Sequence, residues 1–155
     1  MEKQIELRKL SKKFYENYPF DKFPELERKL ERPYVVLILS IYDKKFALPF
    51  RSNIRHGYCY KFRNTSRKTQ SVTGIDFSKA VVIDNDDFLA EETNIDFIEY
   101  IELTRKISFI KKQFLRYVNN YFNLLRGNTN KYLVKRYRFS TLNYFKDELL
   151  ASKTK

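Results

Sequence analysis

The sequence predicts an α+β fold in which an antiparallel sheet, built from hairpins, is covered by helices. Three observations predict it. Several apolar stretches have the length of strands, a hairpin turn joins two of them, and a stretch of more than twenty residues near the C-terminus has helical periodicity. The 155 residues, 43% of them apolar, fit one domain with a hydrophobic core. Residues 1–155 are therefore expected to form a compact single domain.

The N-terminal part predicts short elements. Residues 4–8 alternate between apolar and polar side chains, as a first strand would. Ser11 is a candidate N-cap for a short helix that Pro19 ends. A second short helix is expected over residues 25–30, before the chain turns extended at the next proline.

The middle of the chain predicts the sheet. Residues 34–42 are rich in β-branched side chains, which is typical of a buried central strand. A tight turn at residues 43–44 leads to the next strand, so the two form a hairpin. Residues 63–73 are polar and basic, as in a loop, and Gly74 leads out of them. Strands are expected over residues 34–42, 45–50, 58–62 and 79–83.

The C-terminal part predicts helices. Residues 104–125 place six apolar side chains on one helical face, and Gly127 is the natural C-cap. Those six are Ile107, Ile110, Phe114, Val118, Tyr121 and Leu125. Ser140 is a candidate N-cap for a last helix over 141–150. The type of residues 94–101 stays open.

The charge is high and unevenly distributed. The net charge of +12 favours a polyanionic partner. Residues 44–75 contain eight Lys or Arg and no acid, and residues 105–146 contain eleven and no acid. Residues 81–103 contain eight Asp or Glu and no base. Either the two basic segments converge on one groove while the acidic segment faces elsewhere, or the acidic segment balances the basic ones within the fold.

The sequence argues against several other classes of protein. A single cysteine, Cys59, excludes an internal disulfide and fits a reducing cytoplasm. Neither a signal peptide nor an apolar stretch of membrane-spanning length is expected. One Cys and one His cannot build a zinc site, and residues 84–87 lack the Glu and Gly of a calcium loop. No metal or cofactor is therefore expected.

The most informative segment is Lys45-Phe-Ala-Leu-Pro-Phe-Arg-Ser-Asn-Ile-Arg-His56. An apolar strand leads directly into two guanidiniums, a hydroxyl, an amide and the single histidine of the chain. Arginine can hold two phosphate oxygens, and histidine can exchange protons near neutral pH. This combination suits metal-free RNA cleavage, in which the 2′-hydroxyl attacks the adjacent phosphate. Taken singly, the same residues are also typical of turns and of a solvated basic surface.

These residues carry a resemblance. The segments Arg32-Pro-Tyr-Val-Val-Leu37 and 45–56 resemble the endoribonuclease toxins of type III toxin–antitoxin systems, the ToxN/AbiQ group, and are closest to its CptN/TenpN branch. Gly74-Ile-Asp-Phe-Ser-Lys-Ala-Val-Val-Ile83 and Arg138-Phe-Ser-Thr-Leu142 are similar to that branch as well. The similarity extends over most of the chain, and the strand-to-Arg-Ser-Asn motif is its most specific part.

The resemblance implies a strongly twisted antiparallel sheet flanked by helices. It also implies metal-independent RNA cleavage that leaves a 2′,3′-cyclic phosphate and a 5′-hydroxyl. The partner would be a small antitoxin RNA with a pseudoknot, cut by the toxin from a repeated precursor and held in a closed protein–RNA complex that blocks the active site. Such systems act in the bacterial cytoplasm and are associated with phage defence by abortive infection.

The resemblance also implies site residues. Ser52 matches the serine of the family, and Arg32 matches a basic residue just before the long strand. Arg51 stands where threonine is common, Arg55 represents the lysines that follow the serine, and His56 aligns with an aromatic residue, so stacking and proton transfer both stay open. The predicted catalytic residues are Ser52, Arg51, Asn53, His56 and Arg32. The predicted RNA-binding residues are Arg55, Tyr58, Tyr60, Lys61, Arg63, Arg67, Lys68, Lys135, Arg136 and Arg138. The alternative is a non-catalytic basic module that binds nucleic acid.

Overall fold

The computed structural model describes residues 5–26, 35–66, 72–127 and 130–151. Within these ranges the chain forms seven strands and four α-helices, which confirms the α+β class. The strands are β1 (Glu6–Leu10), β2 (Val35–Ile41), β3 (Lys44–Ser52), β4 (Cys59–Lys61), β5 (Thr73–Asp76), β6 (Val81–Ile83) and β7 (Leu89–Glu92). The helices are α1 (Lys12–Asn17), α2 (Phe97–Leu125), α3 (Lys131–Arg136) and α4 (Lys146–Leu150). The strands pair antiparallel in the order β4-β5-β3-β2-β1-β7.

Strand β3 organises the sheet because it pairs along both edges. One edge pairs with β2 through residues 44–49. The other edge pairs first with β6, through residues 45–47, and then with β5, through residues 50–52. Both residues of the turn between β2 and β3, Tyr42 and Asp43, have positive φ angles of 55° and 63°, as in a two-residue hairpin. The turn thus lies one residue earlier than expected.

The predicted end of β3 at Phe50 is wrong, whereas residues 63–66 and 72 of the predicted 63–73 loop lie outside strands and only Thr73 belongs to one. Strand β5 was not expected, and by pairing with residues 50–52 it extends β3 through Arg51 and Ser52. A Cβ atom added to Gly74 of β5 would lie 2.1 Å from the carbonyl oxygen of Tyr60. Glycine weakens the strand pattern in the sequence, yet it is what lets β4 approach β5 this closely.

Helix α2 covers the hydrophobic core. Five of the six side chains predicted for its inner face are buried, and Leu125 is half-buried. The ring of Phe114 contacts Phe46 of β3 at 5.2 Å and Phe77 at 5.4 Å, measured between centroids. The helix begins at Phe97, seven residues before the expected start, and its N-cap Asp96 accepts a hydrogen bond from the Glu99 amide. Residues 97–101, whose secondary structure the sequence left open, are therefore helical.

Of the remaining elements, β7 and α3 were not expected from the sequence, whereas the N-caps Ser11 and Ser140 were. Ser11 caps α1 through the Phe14 amide, and Gly127 ends α2 with a positive φ of 101°. Ser140 caps a 3₁₀ turn over 141–145 that continues into α4, so the expected last helix is divided. The helix expected over 25–30 falls mainly on residues outside the described ranges. Across the parts of the chain that are described, no helix is long and apolar enough to span a bilayer.

Candidate active site

A buried carboxylate lies at the end of β5, next to the end of β3. The side chain of Asp76 is fully buried, and its Oδ2 atom accepts a hydrogen bond from Nη1 of Arg51. Its Oδ1 atom accepts from the backbone N–H of Ser78 at 2.9 Å and from the Ser78 hydroxyl at 2.6 Å. Asp76 therefore caps the 3₁₀ turn over 77–79 while it pairs with the guanidinium of Arg51.

His56 is the fourth member of this cluster. Its Nε2 atom lies 3.3 Å from Oδ2 of Asp76 and 3.4 Å from the Ser78 hydroxyl oxygen. Its Nδ1 atom accepts a hydrogen bond of 3.0 Å from the backbone N–H of Tyr58. An acceptor at Nδ1 requires the proton of the neutral ring to be on Nε2, which then donates to Asp76. In this geometry the imidazole orients the carboxylate and, through it, Arg51.

An aromatic stack joins the two basic segments at this point. The ring of His56 stacks on Tyr58 with 5.5 Å between centroids. The guanidinium carbon of Arg136, from α3, lies 5.6 Å from the centre of the Tyr58 ring. The C-terminal segment 138–142 also contacts the cluster, because the Thr141 hydroxyl donates a hydrogen bond of 3.2 Å to the Ser78 carbonyl oxygen. The two basic segments therefore contact each other at Tyr58 and Arg136.

Ser52, Asn53 and Arg55 form a separate, exposed set beside the buried cluster. Successive side chains of a strand project to opposite faces, so Ser52 projects away from Arg51. Asn53 has a positive φ of 60°, and its backbone N–H donates a hydrogen bond of 2.6 Å to the Val72 carbonyl oxygen. Its Oδ1 atom accepts from Nε of Arg55 at 3.3 Å. Of the predicted catalytic residues that the structure describes, Arg51 and His56 thus belong to the buried cluster, and Ser52 and Asn53 belong to the exposed set, together with Arg55, which was predicted to bind RNA.

The acidic segment does not simply face away from the basic ones. Glu102 of α2 accepts from the Tyr60 hydroxyl at 2.5 Å and from the backbone N–H of Arg63 at 3.0 Å. Asp96 and Glu99 bind residues 65–66 in the same way, through the Ser66 amide at 3.1 Å and the Thr65 hydroxyl at 2.6 Å. The expectation that the acidic segment faces away from the basic segments is therefore wrong for these three acids. They fix residues 63–66 by accepting hydrogen bonds from the N–H and O–H groups of that loop.

These contacts shift the pKa values of two side chains, Tyr60 and Asp96. Burial, and next the hydrogen bond to Glu102, raise the pKa of Tyr60 well above its usual range. The Ser66 hydroxyl is the main cause that lowers the pKa of Asp96. Both shifts favour the charge states in which α2 holds the loop at neutral pH, a neutral phenol and an ionised carboxylate. Other members of the acidic segment, Asp84 and Asp86, line a different pocket with Asp147 and Glu148.

The other predicted site residues are distributed over the surface. Lys61 and Arg63 are exposed at β4 and its following loop, and Lys135 is exposed on α3. Arg138 is exposed, with its guanidinium carbon 5.4 Å from the centre of the Phe139 ring. Three of the predicted residues lie outside the described ranges, namely Arg32, Arg67 and Lys68.

Sequence reasoning missed Asp76 and Ser78, although the segment that contains them was singled out. A signal was present, because Asp76 is the acid that ends the acid-free stretch 44–75 and stands between apolar neighbours. The spacing Asp-Phe-Ser also fits an N-cap that accepts from the second residue after it. Neither signal identifies Arg51 as the partner, since that depends on the register between β3 and β5.

The fold and this cluster define an α+β protein in which a buried aspartate pairs with a partly exposed arginine, beside an exposed serine, asparagine and second arginine. No family model matches the chain, and searches of curated proteins and of solved structures give no match. Within the described ranges, no three His, Cys, Asp or Glu side chains are grouped so as to hold a metal ion. The function is therefore argued from the geometry of these residues.

Proposed function

We propose that this protein is a metal-independent endoribonuclease toxin. The observation that carries the proposal is the Arg51 guanidinium, oriented by the buried carboxylate of Asp76 at the end of a rigid strand, beside exposed Ser52, Asn53 and Arg55. A cation held in place before the substrate arrives is what stabilises charge that develops on a phosphoryl group. The exposed hydroxyl, amide and guanidinium of Ser52, Asn53 and Arg55 would supply hydrogen bonds to the RNA backbone from the other face of the strand.

The reaction is a transesterification within RNA. The 2′-oxygen forms a bond to phosphorus and loses its proton, while the bond from phosphorus to the 5′-oxygen breaks and that oxygen gains a proton. The products are a 2′,3′-cyclic phosphate and a 5′-hydroxyl. Arg55 would stabilise the negative charge on the non-bridging oxygens, and the Ser52 hydroxyl and Asn53 amide would fix their position; Arg51, on the other face of β3, would bind the neighbouring phosphate.

His56 could either position Asp76 or transfer a proton, and the two roles require different contacts of its ring. As a positioning residue it keeps the contacts described above, with Nε2 on Asp76 and Nδ1 on the Tyr58 amide. As a proton-transfer residue it must release one of these partners and turn a nitrogen to the substrate. The pH profile of kcat/KM separates the two: a proton-transfer role predicts one limb that disappears in His56→Gln, whereas a positioning role predicts a lower rate with both limbs kept.

The proposal includes regulation by a small RNA. Its support is the sequence resemblance, together with the basic surface on which Arg136 joins Tyr58 near the cluster. The antitoxin RNA would be cut from a repeated precursor and would then occupy the same surface in a closed complex, within the bacterial cytoplasm. Expression of the protein alone should stop growth, and co-expression of the cognate RNA should restore it.

A second candidate is a basic module that binds nucleic acid without cutting it. One observation favours it: both nitrogens of His56 have protein partners, and Asp76 neutralises Arg51. A binding module needs the exposed cations of the surface, but it needs no group that exchanges protons with a substrate. Binding that weakens steeply with salt fits both candidates, so cleavage must decide between them.

The test is cleavage of RNA by the purified protein in EDTA. Cleavage should leave a 2′,3′-cyclic phosphate, and DNA of the same sequence should stay intact. Ser52→Ala and Arg55→Ala should each lower the rate about a hundredfold, as loss of a group that stabilises the transition state does. The matched controls are Ser108→Ala and Lys12→Ala, two exposed residues on helices away from the cluster.

Three results would count against the proposal. Loss of cleavage in EDTA would make the reaction metal-dependent. Site variants as active as their controls would mean that Ser52 and Arg55 take no part. Salt-dependent binding of RNA without any cleavage, in protein whose circular dichroism shows it to be folded, would favour the binding module.

A further inference from the structure

A cleft lies between β4 and α2, next to the segment that holds His56. Its volume is about 350 Å³, which is within the range of small-ligand sites. Gly57 and Cys59, which follow His56 in the chain, form part of its wall. The cleft therefore adjoins the candidate active site without containing the Asp76 cluster.

The side chains of the cleft are cationic. Lys61 and Arg63 line it from the β4 side, and Lys106 lines it from α2. All three are exposed, and among the described residues no acidic side chain lines the cleft; the carboxylate of the neighbouring Glu102 is bound to the Tyr60 hydroxyl and the Arg63 amide. A site with three cations and no acid favours an anionic ligand, such as a phosphate diester.

The cleft also offers an aromatic surface. Phe109 is 50% exposed, and the ammonium of Lys106 lies 5.9 Å from the centre of its ring. The edge of Tyr60 supports that ring, with 6.3 Å between centroids, and Tyr60 is itself held by Glu102. A supported ring that is half open to solvent can stack on a nucleobase.

Gln113 supplies a hydrogen-bonding group that the fold does not use. Its Oε1 atom is buried, and it has no hydrogen-bond partner among the described residues. Lys106, Phe109 and Gln113 are spaced three and four residues apart on one face of α2. A buried acceptor without a donor is unfavourable, so a rotation of the Gln113 amide that turns Oε1 into the cleft would let it bind a ligand N–H.

We propose that this cleft binds one unpaired nucleobase whose Watson–Crick edge carries an exocyclic amine beside an acceptor ring nitrogen, namely adenine or cytosine. The base stacks on Phe109, its amine donates to Oε1 of Gln113, and its ring nitrogen accepts from the amide NH₂ of the same side chain. The adjoining phosphates lie on Lys61, Arg63 and Lys106. As a contribution to cleavage specificity, this inference rests on the proposed function.

The experiment measures binding of short single-stranded DNA oligomers of one base each. DNA lacks the 2′-hydroxyl, so binding is measured without cleavage. Oligomers of dA and of dC should bind about tenfold more tightly than dT. Gln113→Leu should remove this preference, and Phe109→Ala should weaken binding of all three by roughly tenfold. The matched control is Phe97→Ala, because Phe97 is an exposed phenylalanine of the same helix that does not line the cleft.

A merely structural role for Gln113 makes a different prediction. If Gln113 only served the fold, the leucine variant would lower the melting temperature. Since its oxygen has no partner, we expect the melting temperature to stay the same or to rise. A lower melting temperature together with an unchanged base preference would overturn the inference.

The remaining outcomes separate this inference from the proposed function. Equal binding of dA, dC and dT by the natural protein, or equal effects of Phe109→Ala and Phe97→Ala, would show that the cleft does not bind a base. If RNA is cleaved while either of these results is obtained, the proposed function stands and the cleft assignment is wrong. If the oligomers show the expected preference but RNA is never cleaved, the cleft assignment stands and the endoribonuclease is wrong.

Discussion

The Asp76→Asn variant tests whether the ion pair with Arg51 holds the ends of β3 and β5 together. The substitution removes the negative charge but keeps an oxygen that can accept from the Ser78 amide, and asparagine caps as well as aspartate does. The change in the free energy of unfolding therefore reports the loss of the charge together with the hydrogen bonds that Oδ2 accepts from Arg51 and His56. Asp76 is fully buried, whereas the Arg51 side chain is 24% exposed.

The magnitude follows from that asymmetry. Breaking a fully buried ion pair by removing one partner costs about 3–5 kcal/mol, and an exposed pair is worth about 0–1 kcal/mol. Since water reaches part of the guanidinium, we expect Asp76→Asn to lower the free energy of unfolding by roughly 2–3 kcal/mol. The control is Asp86→Asn, because Asp86 is 84% exposed and pairs with Lys45 at 3.1 Å; its cost should stay below about 1 kcal/mol.

The assay is unfolding by denaturant, followed by far-UV circular dichroism because the chain contains no tryptophan. A double-mutant cycle with Arg51→Met completes it. Removing both charges should cost less than the two single changes added together, by about 1 kcal/mol or more. The reasoning is refuted if Asp76→Asn costs no more than Asp86→Asn, or if the two single changes are additive.

Three further predictions concern single positions. Gly74→Ala should lower the free energy of unfolding, measured with denaturant, by about 2 kcal/mol or more, because the new methyl group would clash with the Tyr60 backbone. A decrease below about 0.5 kcal/mol would contradict the close pairing of β4 and β5. Burial raises the pKa of the Cys59 thiol from 9.0 to about 11, so at neutral pH the folded protein should react with a thiol reagent roughly a hundredfold more slowly than the unfolded chain; equal rates would contradict it. Asn53→Gly should leave the thermal stability nearly unchanged, whereas Asn53→Ala should cost about 1 kcal/mol, because the φ of 60° suits glycine and strains alanine; equal stability of the two would show that the backbone there relaxes.

The strands and helices that the sequence predicted most completely are those whose inward side chains are apolar and pack in the core. Strand β2 is buried and β-branched along most of its length, and the inner face of α2 from Ile107 onward is apolar at every helical turn. The first turns of α2 were not recognised, because one of their buried residues is Glu99, which accepts from the Thr65 hydroxyl. A charged residue in the inner face interrupts the apolar period on which a helix prediction depends.

The site was predictable only in part, for a related reason. The sequence showed that Arg51 and His56 lie close together along the chain, and the structure joins both to one carboxylate. Asp76 is 25 residues from Arg51, and they meet because Arg51 pairs with Gly74 across β3 and β5. That register depends on a short strand whose glycine and aspartate both have low strand propensity, so local pattern could not reveal it.

Helix α2 gives the molecule a fixed charge gradient. Its first turns carry Glu99 and Glu102, and the following turns carry Arg105, Lys106, Lys111 and Lys112 within one helix of 29 residues. Both acids are already bound to the loop after β4. An approaching polyanion therefore meets mainly the cationic turns from Arg105 onward. Within a screening length of about 8–10 Å, such a gradient exerts a torque that turns the protein before contact is made. The association rate should therefore fall steeply with ionic strength.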